Sequence, residues 1–323
     1  MKQVHDEDDG HPIALVAMGG HAFIQKGEPG TIEDHERNAE SIARSLMSLI
    51  EREYHLVITH GNGPQVGNLL IQQELSKDAT PVMPLDVLVA MTEGSLGYVL
   101  QQSLLNQLNK RDVHRFVVTV VTQVIVDEND PAFGNPTKPI GPFLTKEEAQ
   151  QRRGELGWQV AEGVRGWRRL VASPLPQKVL QRDMIREAAR AGHIVVAAGG
   201  GGVPIKLTRK GEYAGVEAVV DKDLTSAVLA AAVGAELLII LTAVPNVYVN
   251  FGRPDQAPLS AVTLDETQEL MAKGHFPAGS MGPKIQAVMH FLEHGGRRAL
   301  ITDPASLPDA MQGRAGSHFI GKL

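Results

Sequence analysis

The sequence predicts an α/β protein built on a parallel, doubly wound sheet. Three observations predict it: short β-branched runs recur along the 323 residues, most of them are apolar without interruption, and segments of helical spacing lie between them. Strands covered by helices on both faces bury both sets of side chains and so read as continuous apolar runs. Strands alternating with helices are the pattern that parallel crossovers require. A chain of this length has room for two domains or for one large α/β unit.

The first strand is "IALVAM" (Ile13–Met18), and "LVIT" (56–59) is the second. Between them Ile42, Leu46, Leu49 and Ile50 recur at helical spacing within 33–52. "FVVTVVTQVIV" (116–126) reads as one long strand, and "IVVAA" (194–198), "ELLIILT" (236–242) and "RALIT" (298–302) as three more. After "DKD", Leu224, Val228, Leu229 and Val233 trace a helical face, and a further helix is expected over 285–293 with Ser280 or Gly282 near its cap. The rhythm breaks over about 127–176, where "DENDPAFGNPTKPIGPF" leads into a charged helical stretch and then "RGWRRLVASPLP", with both tryptophans of the chain inside. An excursion this long within a compact domain implies an ordered small subdomain.

Composition excludes several classes. With 43% hydrophobic and 21% charged residues the chain is an ordinary globular one, and no apolar run reaches the ~20 residues of a membrane-spanning helix. A net charge of −6 without a dense Lys/Arg block disfavours a nucleic-acid footprint. The absence of cysteine rules out disulfides, and the acidic start "MKQVHDEDDGHP" lacks the pattern of a secretory leader, so a cytoplasmic setting is expected.

Glycine clusters follow strands: "AMGGHA", "THGNGPQVGN" and "AAGGGGVPI". In an open α/β sheet the carboxyl ends of the strands line the ligand crevice, and a residue without Cβ lets main-chain N–H groups approach an anion. Each cluster alone is more readily a tight turn than a site; three after three strands point to a site. Other phosphate signatures fail. "GSHFIGKL" (316–323) has P-loop spacing but ends in Leu323 with no helix to follow, and no G-x-G-x-x-G opens a helix after the first strand. His290 and His294 are four apart without the H-E-x-x-H glutamate, so no protein-held metal is expected.

Three lysines stand among Gly, Pro and small residues: Lys138 in "NPTKPIGP", Lys222 in "VVDKDLTSA" and Lys284 in "AGSMGPK". Phosphoryl transfer asks chiefly for positioning and for cations around the moving group, which converging lysines provide. Asp221 and Asp223 flank Lys222 and can orient it; Asp221 can equally cap the helix that follows, and both roles are compatible.

These strings, with "PLDV", "EGSLGY", "VDENDPAF", "GVEAVVDKDL" and "NFGRPDQ", resemble carbamate kinase of the amino acid kinase superfamily along nearly the whole chain. The resemblance implies a three-layer αβα sandwich around a mainly parallel open sheet, with a small protruding subdomain at about 127–176. It divides the chain into residues 1–215, on the carbamate or carbamoyl phosphate side, and 216–323, which bind ATP or ADP with Mg²⁺ held mainly by the nucleotide phosphates. A cytoplasmic homodimer serving arginine or other carbamoyl-releasing catabolism is also implied. Lys138, Lys222, Lys284 and Asp221 take the catalytic roles by the same resemblance. Gly19, Gly20, His21, Gly61, Asn62, Gly200, Gly201, Arg168 and Arg169 meet the small substrate, and Tyr248 and Met281 join Lys222 and Lys284 at the nucleotide.

Two positions depart from the family pattern. Carbamate kinases usually carry Asn where this chain has His21, and Asp or Asn where it has Pro245. An imidazole is larger than an amide and changes charge near neutral pH, while proline removes a main-chain donor. Two alternatives therefore stand beside carbamate kinase: a related small-acid kinase with an altered acceptor, and a non-catalytic nucleotide or carbamoyl phosphate binder.

Overall fold

The computed structural model describes residues 10–19, 22–25, 27–163, 166–277 and 280–321. Its centre is an eight-stranded sheet in the order Ala261–Thr263, Ser317–Ile320, Arg298–Thr302, Leu237–Leu241, Ile13–Met18, His55–His60, Ile194–Val196, Val117–Thr119. Every pairing is parallel except that of Arg298–Thr302 with Ser317–Ile320.

The uninterrupted apolar runs have the expected cause. In Ile13–Met18 all six residues are buried, and alternate side chains enter two different cores. Leu15 and Ala17, with Val57, Val195 and Ile240, pack against the helices Lys222–Val233 and Met281–Glu293. Ala14, Val16 and Met18, with Ile58 and Ile239, pack against Ile32–Ile50 and Leu85–Asn109. The architecture is thus helix, sheet, helix, an αβα sandwich. Thr31 starts the Ile32–Ile50 helix with a capping box, its side chain accepting from Asp34 N–H while the Asp34 carboxylate accepts from Thr31 N–H.

The run 116–126 forms two strands instead of one. Val117–Thr119 ends the central sheet, and Gln123–Val126 joins a second sheet ordered Tyr213–Gly215, Val203–Leu207, Gln123–Val126, Pro176–Val179. The chain leaves the first sheet at Thr122, whose backbone N–H donates to a buried carboxyl oxygen of Glu93 at 2.8 Å.

Between Gln123–Val126 and Pro176–Val179 the chain makes a separate antiparallel sheet of Lys138–Leu144, Gly166–Val171 and Gln159–Gly163. The helix Lys146–Leu156 covers it, and Leu144, Ala149 and Trp158 form its small core. It sits on the helix Gly63–Ser76 through backbone: a Cβ on Gly67 would lie 1.8 Å from Gly141 Cα, so only glycine allows this approach.

Among the described residues no helix is long and apolar enough to cross a membrane.

Candidate active site

Parallel strands place their carboxyl ends together, and the glycine turns follow from that. Gly61 N–H donates to Met18 O at 3.0 Å, which joins the exits of the first two strands. Gly19 is half-buried at the first exit, where its carbonyl accepts from Ala22 N–H at 2.9 Å. Gly20 and His21 lie outside the described residues.

Gly199–Gly202 is a wedge of main chain rather than a hinge. Gly200, Gly201 and Gly202 have φ of +69°, +98° and +83°, a region that disfavours any side chain. Space is equally restrictive, because a Cβ on Gly200 would lie 2.2 Å from Asn62 Nδ2 and one on Gly201 would lie 2.4 Å from Val220 O. The run is therefore pressed between the "HGNG" turn and the segment leading to Lys222.

The helix Lys222–Val233 is fixed to both turns. Thr225 Oγ1 donates to Gly201 O at 2.9 Å, and Ser226 Oγ lies 2.6 Å from Thr59 Oγ1, with both pairs buried. Asp221 is its N-cap, accepting from the N–H groups of Asp223 and Leu224 at 2.9 and 3.4 Å. The other Asp221 oxygen lies 3.2 Å from Lys138 Nζ, which also donates to Val220 O at 3.1 Å. Capping and lysine orientation thus hold at once, for Lys138.

The carboxylate shared by the other two lysines is Asp223. It pairs directly with Lys222 and lies 3.0 Å from Lys284 Nζ. Lys284 stands in the first turn of Met281–Glu293, so two helix N-termini and three ammonium groups meet here with two carboxylates. Burial alone would raise the Asp223 pKa, but the two ammonium groups outweigh it and hold the carboxyl at about 2. Burial pushes Lys222 below the ordinary lysine range, with Asp223 opposing and Lys284 reinforcing the shift. A cation cluster at paired helix N-termini is an environment for an anionic, phosphate-like group.

Two further buried groups, His60 and Glu93, lie inside strings that carry the resemblance but were given no role there. His60 is held at about 4 by burial, opposed by its bond to Gly61 O, with Lys222 adding to the depression, so it is neutral. Glu93 is raised well above the carboxylate range, again by burial. Spacing alone does not set either apart from a surface residue; only the motif strings around them mark the place.

The remaining predicted residues lie apart from the lysines' contacts. Arg168 donates through Nε to Gly141 O at 3.0 Å, and its guanidinium lies over Phe143. Arg169 stacks over Trp158 at 4.5 Å, with Glu217 and Glu74 opposing the effect of its burial. Both arginines are engaged with the subdomain. Tyr248 is half-buried in the ribbon formed with Ala257–Pro258, its ring 6.1 Å from that of Phe251. Met281 packs at the edge of the core, and exposed Pro245 precedes Asn246, whose amide donates to Gly316 O at 2.8 Å. His290 and His294 stack at 4.0 Å, with a bond between His294 Nδ1 and His290 O.

A mainly parallel sandwich with glycine turns and converging lysines at its strand ends is the arrangement of a phosphoryl-transfer enzyme. The chain belongs to the amino acid kinase family, whose sequence model matches residues 12–303. Within that family it is similar to carbamate kinases. The carbamate kinase of Thermococcus kodakarensis is 44% identical over 310 residues, covering 95% of this chain and 98% of the relative. That of Trichomonas vaginalis is 40% identical over 309 residues, with 95% and 98% covered. Among solved structures, carbamate kinase from Giardia lamblia bound to AMP-PNP has a TM-score of 0.90 at 36% identity, over 98% of this chain and 100% of that one.

Proposed function

We propose that the chain catalyses reversible phosphoryl transfer between ATP and carbamate, and that in the cell it forms ATP from ADP and carbamoyl phosphate. The observation that carries this reading is the paired cluster, Lys222 and Lys284 on Asp223 beside Lys138 on Asp221, at the end of the sheet where the glycine turns emerge. In the ATP-forming direction the bond between phosphorus and the carbamate oxygen breaks as a terminal ADP oxygen bonds to phosphorus. The leaving carbamate is already an anion, so neither a covalent enzyme intermediate nor a general base is needed. Lys138 faces the migrating group from the subdomain side, Lys222 and Lys284 from the nucleotide side, and Asp221 and Asp223 hold the ammonium groups in line. Main-chain N–H groups of Gly19, Gly20 and Gly200 and the Asn62 amide serve the phosphoryl and carbamate oxygens, while Gly61 and Gly201, whose N–H groups donate to Met18 O and Ala198 O, shape the turns that present them. His21, Arg168 and Arg169 complete that side.

Residues 1–215 carry the carbamoyl phosphate side in this reading, with 127–176 as the subdomain, and 216–323 carry the nucleotide beside Tyr248 and Met281. Asp221 and Asp223 are committed to lysines and helix N–H groups, which suits an Mg²⁺ that arrives on the nucleotide phosphates. When bound there, Mg²⁺ offsets phosphate charge. The proposed setting is the cytoplasm, where ADP and ATP are available.

The proposed assembly is a homodimer. Val87, Met91, Tyr98 and Leu105 are exposed along one face of Leu85–Asn109, and exposed Phe116 and Val121 flank the end strand of the central sheet. An open strand edge beside an apolar helix face suits a second copy.

The test is ATP formation from ADP and carbamoyl phosphate, followed by a coupled assay with Mg²⁺ supplied and omitted. Turnover that requires Mg²⁺ is expected, and nucleotide binding without turnover would overturn the reading.

A further inference from the structure

Glu93 lies in the helix Leu85–Asn109, is 1% exposed, and touches neither the lysines nor their carboxylates in any bond described above. It is nevertheless tied, through Thr122, to the main chain that leads into the glycine run. Its Oε2 accepts from Thr122 N–H at 2.8 Å. Thr122 extends the grip: its Oγ1 accepts from Ala198 N–H at 2.9 Å and its carbonyl from Val203 N–H at 2.8 Å. The preceding residue, Thr92, accepts through Oγ1 from Asn62 Nδ2 at 2.9 Å and donates to Val89 O at 2.7 Å. One helical turn therefore holds the "HGNG" turn through Thr92 and, by way of Thr122, the glycine run through Glu93.

We propose that Glu93 is a positioning residue that, together with Thr92, fixes the separation of these two main-chain turns and so sets how tightly the carbamoyl phosphate end of the site grips its ligand. The proposal rests on the phosphoryl-transfer reading given above. Three further observations support it. A Cβ on Gly199 would lie 3.0 Å from Glu93 Cγ and 2.6 Å from the His60 ring, so the carboxyl is packed directly under the glycines. Its second oxygen, Oε1, is buried and has no hydrogen-bond partner, an unfavourable placement unless the residue has a task. Burial raises the carboxyl well above the ordinary carboxylate range, which favours its uncharged form, and an amide of the same shape offers the same acceptor oxygen.

The experiment compares full-length wild type, Glu93→Gln and Glu93→Met in two measurements. In Glu93→Met, which keeps the length but loses the acceptor, hydrogen exchange of the peptide spanning 198–203 is expected to accelerate by about tenfold or more. Glu93→Gln is expected to restore protection. In the ATP-forming assay the KM for carbamoyl phosphate is expected to rise by about tenfold in Glu93→Met, with the KM for ADP within about twofold of wild type. The amide variant is expected to match wild type on both. Unchanged exchange in Glu93→Met, equal losses on both substrates, or a Gln variant as impaired as Met would each overturn the proposal. Because exchange is read without substrate, it decides the positioning role even if wild type proves inactive on carbamoyl phosphate, which would refute only the reading of the reaction.

Discussion

Lys138 Nζ lies 3.2 Å from Asp221 Oδ2, a contact that joins a strand of the small subdomain to the cap of a helix packed on the central sheet. The cap residue is fixed by two helix N–H groups, so the lysine that reaches it is placed by main chain rather than by a flexible partner. Replacement by alanine should leave the cap and the fold intact. We expect Lys138→Ala to lower kcat by about a hundredfold or more with an unchanged unfolding curve. Near-normal turnover would refute the assigned role.

Asp223 balances two ammonium groups in a buried place. Asp223→Asn keeps the shape and removes the charge, leaving Lys222 and Lys284 to repel each other. Loss of one member of a buried ionic group costs about 3–5 kcal/mol, and denaturant unfolding should show a decrease of that order. The same variant should lose kcat/KM for ADP, whereas full stability with wild-type kinetics would show that the lysines do not depend on this carboxylate.

The glycine run can be tested against a matched control. Gly201 and Gly211 both have positive φ, +98° and +81°, but a Cβ at Gly201 would meet Val220 O while one at Gly211 meets nothing within 4 Å. Gly211→Ala should cost about 1 kcal/mol through backbone conformation alone, with activity retained. Gly201→Ala should cost about 2 kcal/mol or more and abolish most turnover. Equal effects of the two substitutions would mean that the run is an ordinary turn.

His60 gives a pH dependence of stability. Burial holds it neutral in the fold down to about pH 4, while in the unfolded chain it titrates near 6.5. Between those values only the unfolded chain takes up the proton, so acidification across this window favours unfolding, by roughly 3 kcal/mol at its lower end. His60→Gln should flatten that part of the stability profile. An unaltered slope would locate the titration elsewhere.

Tyr98 is 62% exposed on the apolar helix face proposed as the contact between copies. Tyr98→Glu should shift sedimentation from dimer to monomer, because a desolvated carboxylate at such a contact has no partner. A wild type that sediments as monomer would remove the interface altogether.

The central sheet was legible because its strands are buried on both faces, and an unbroken apolar run as short as "IALVAM" suits a strand covered by helices better than any helix or loop. The break in 116–126 was not legible. Apolar spacing continues through Thr122, and what turns the chain there is a hydrogen bond with a residue 29 positions earlier. The helix Leu85–Asn109 shows no single stripe, since it buries Leu88, Leu96 and Leu100 yet exposes Val87, Met91 and Tyr98. For the site, "DKD" announced two carboxylates around a lysine, but local sequence carries no information on which way each points. The cap turned Asp221 outward to Lys138 and left Asp223 facing Lys284, an arrangement that depends on a residue 61 positions further along the chain.

Trp158 and Trp167 are the only tryptophans in the sequence, and both belong to the small subdomain that carries Lys138. Ultraviolet-excited emission at wavelengths selective for indole therefore reports on this one part of the molecule. Two guanidinium groups, Arg152 and Arg169, lie over the Trp158 ring, which makes its emission sensitive to any rearrangement of their side chains. A ligand that draws Lys138 inward would thus announce itself optically, without a dye.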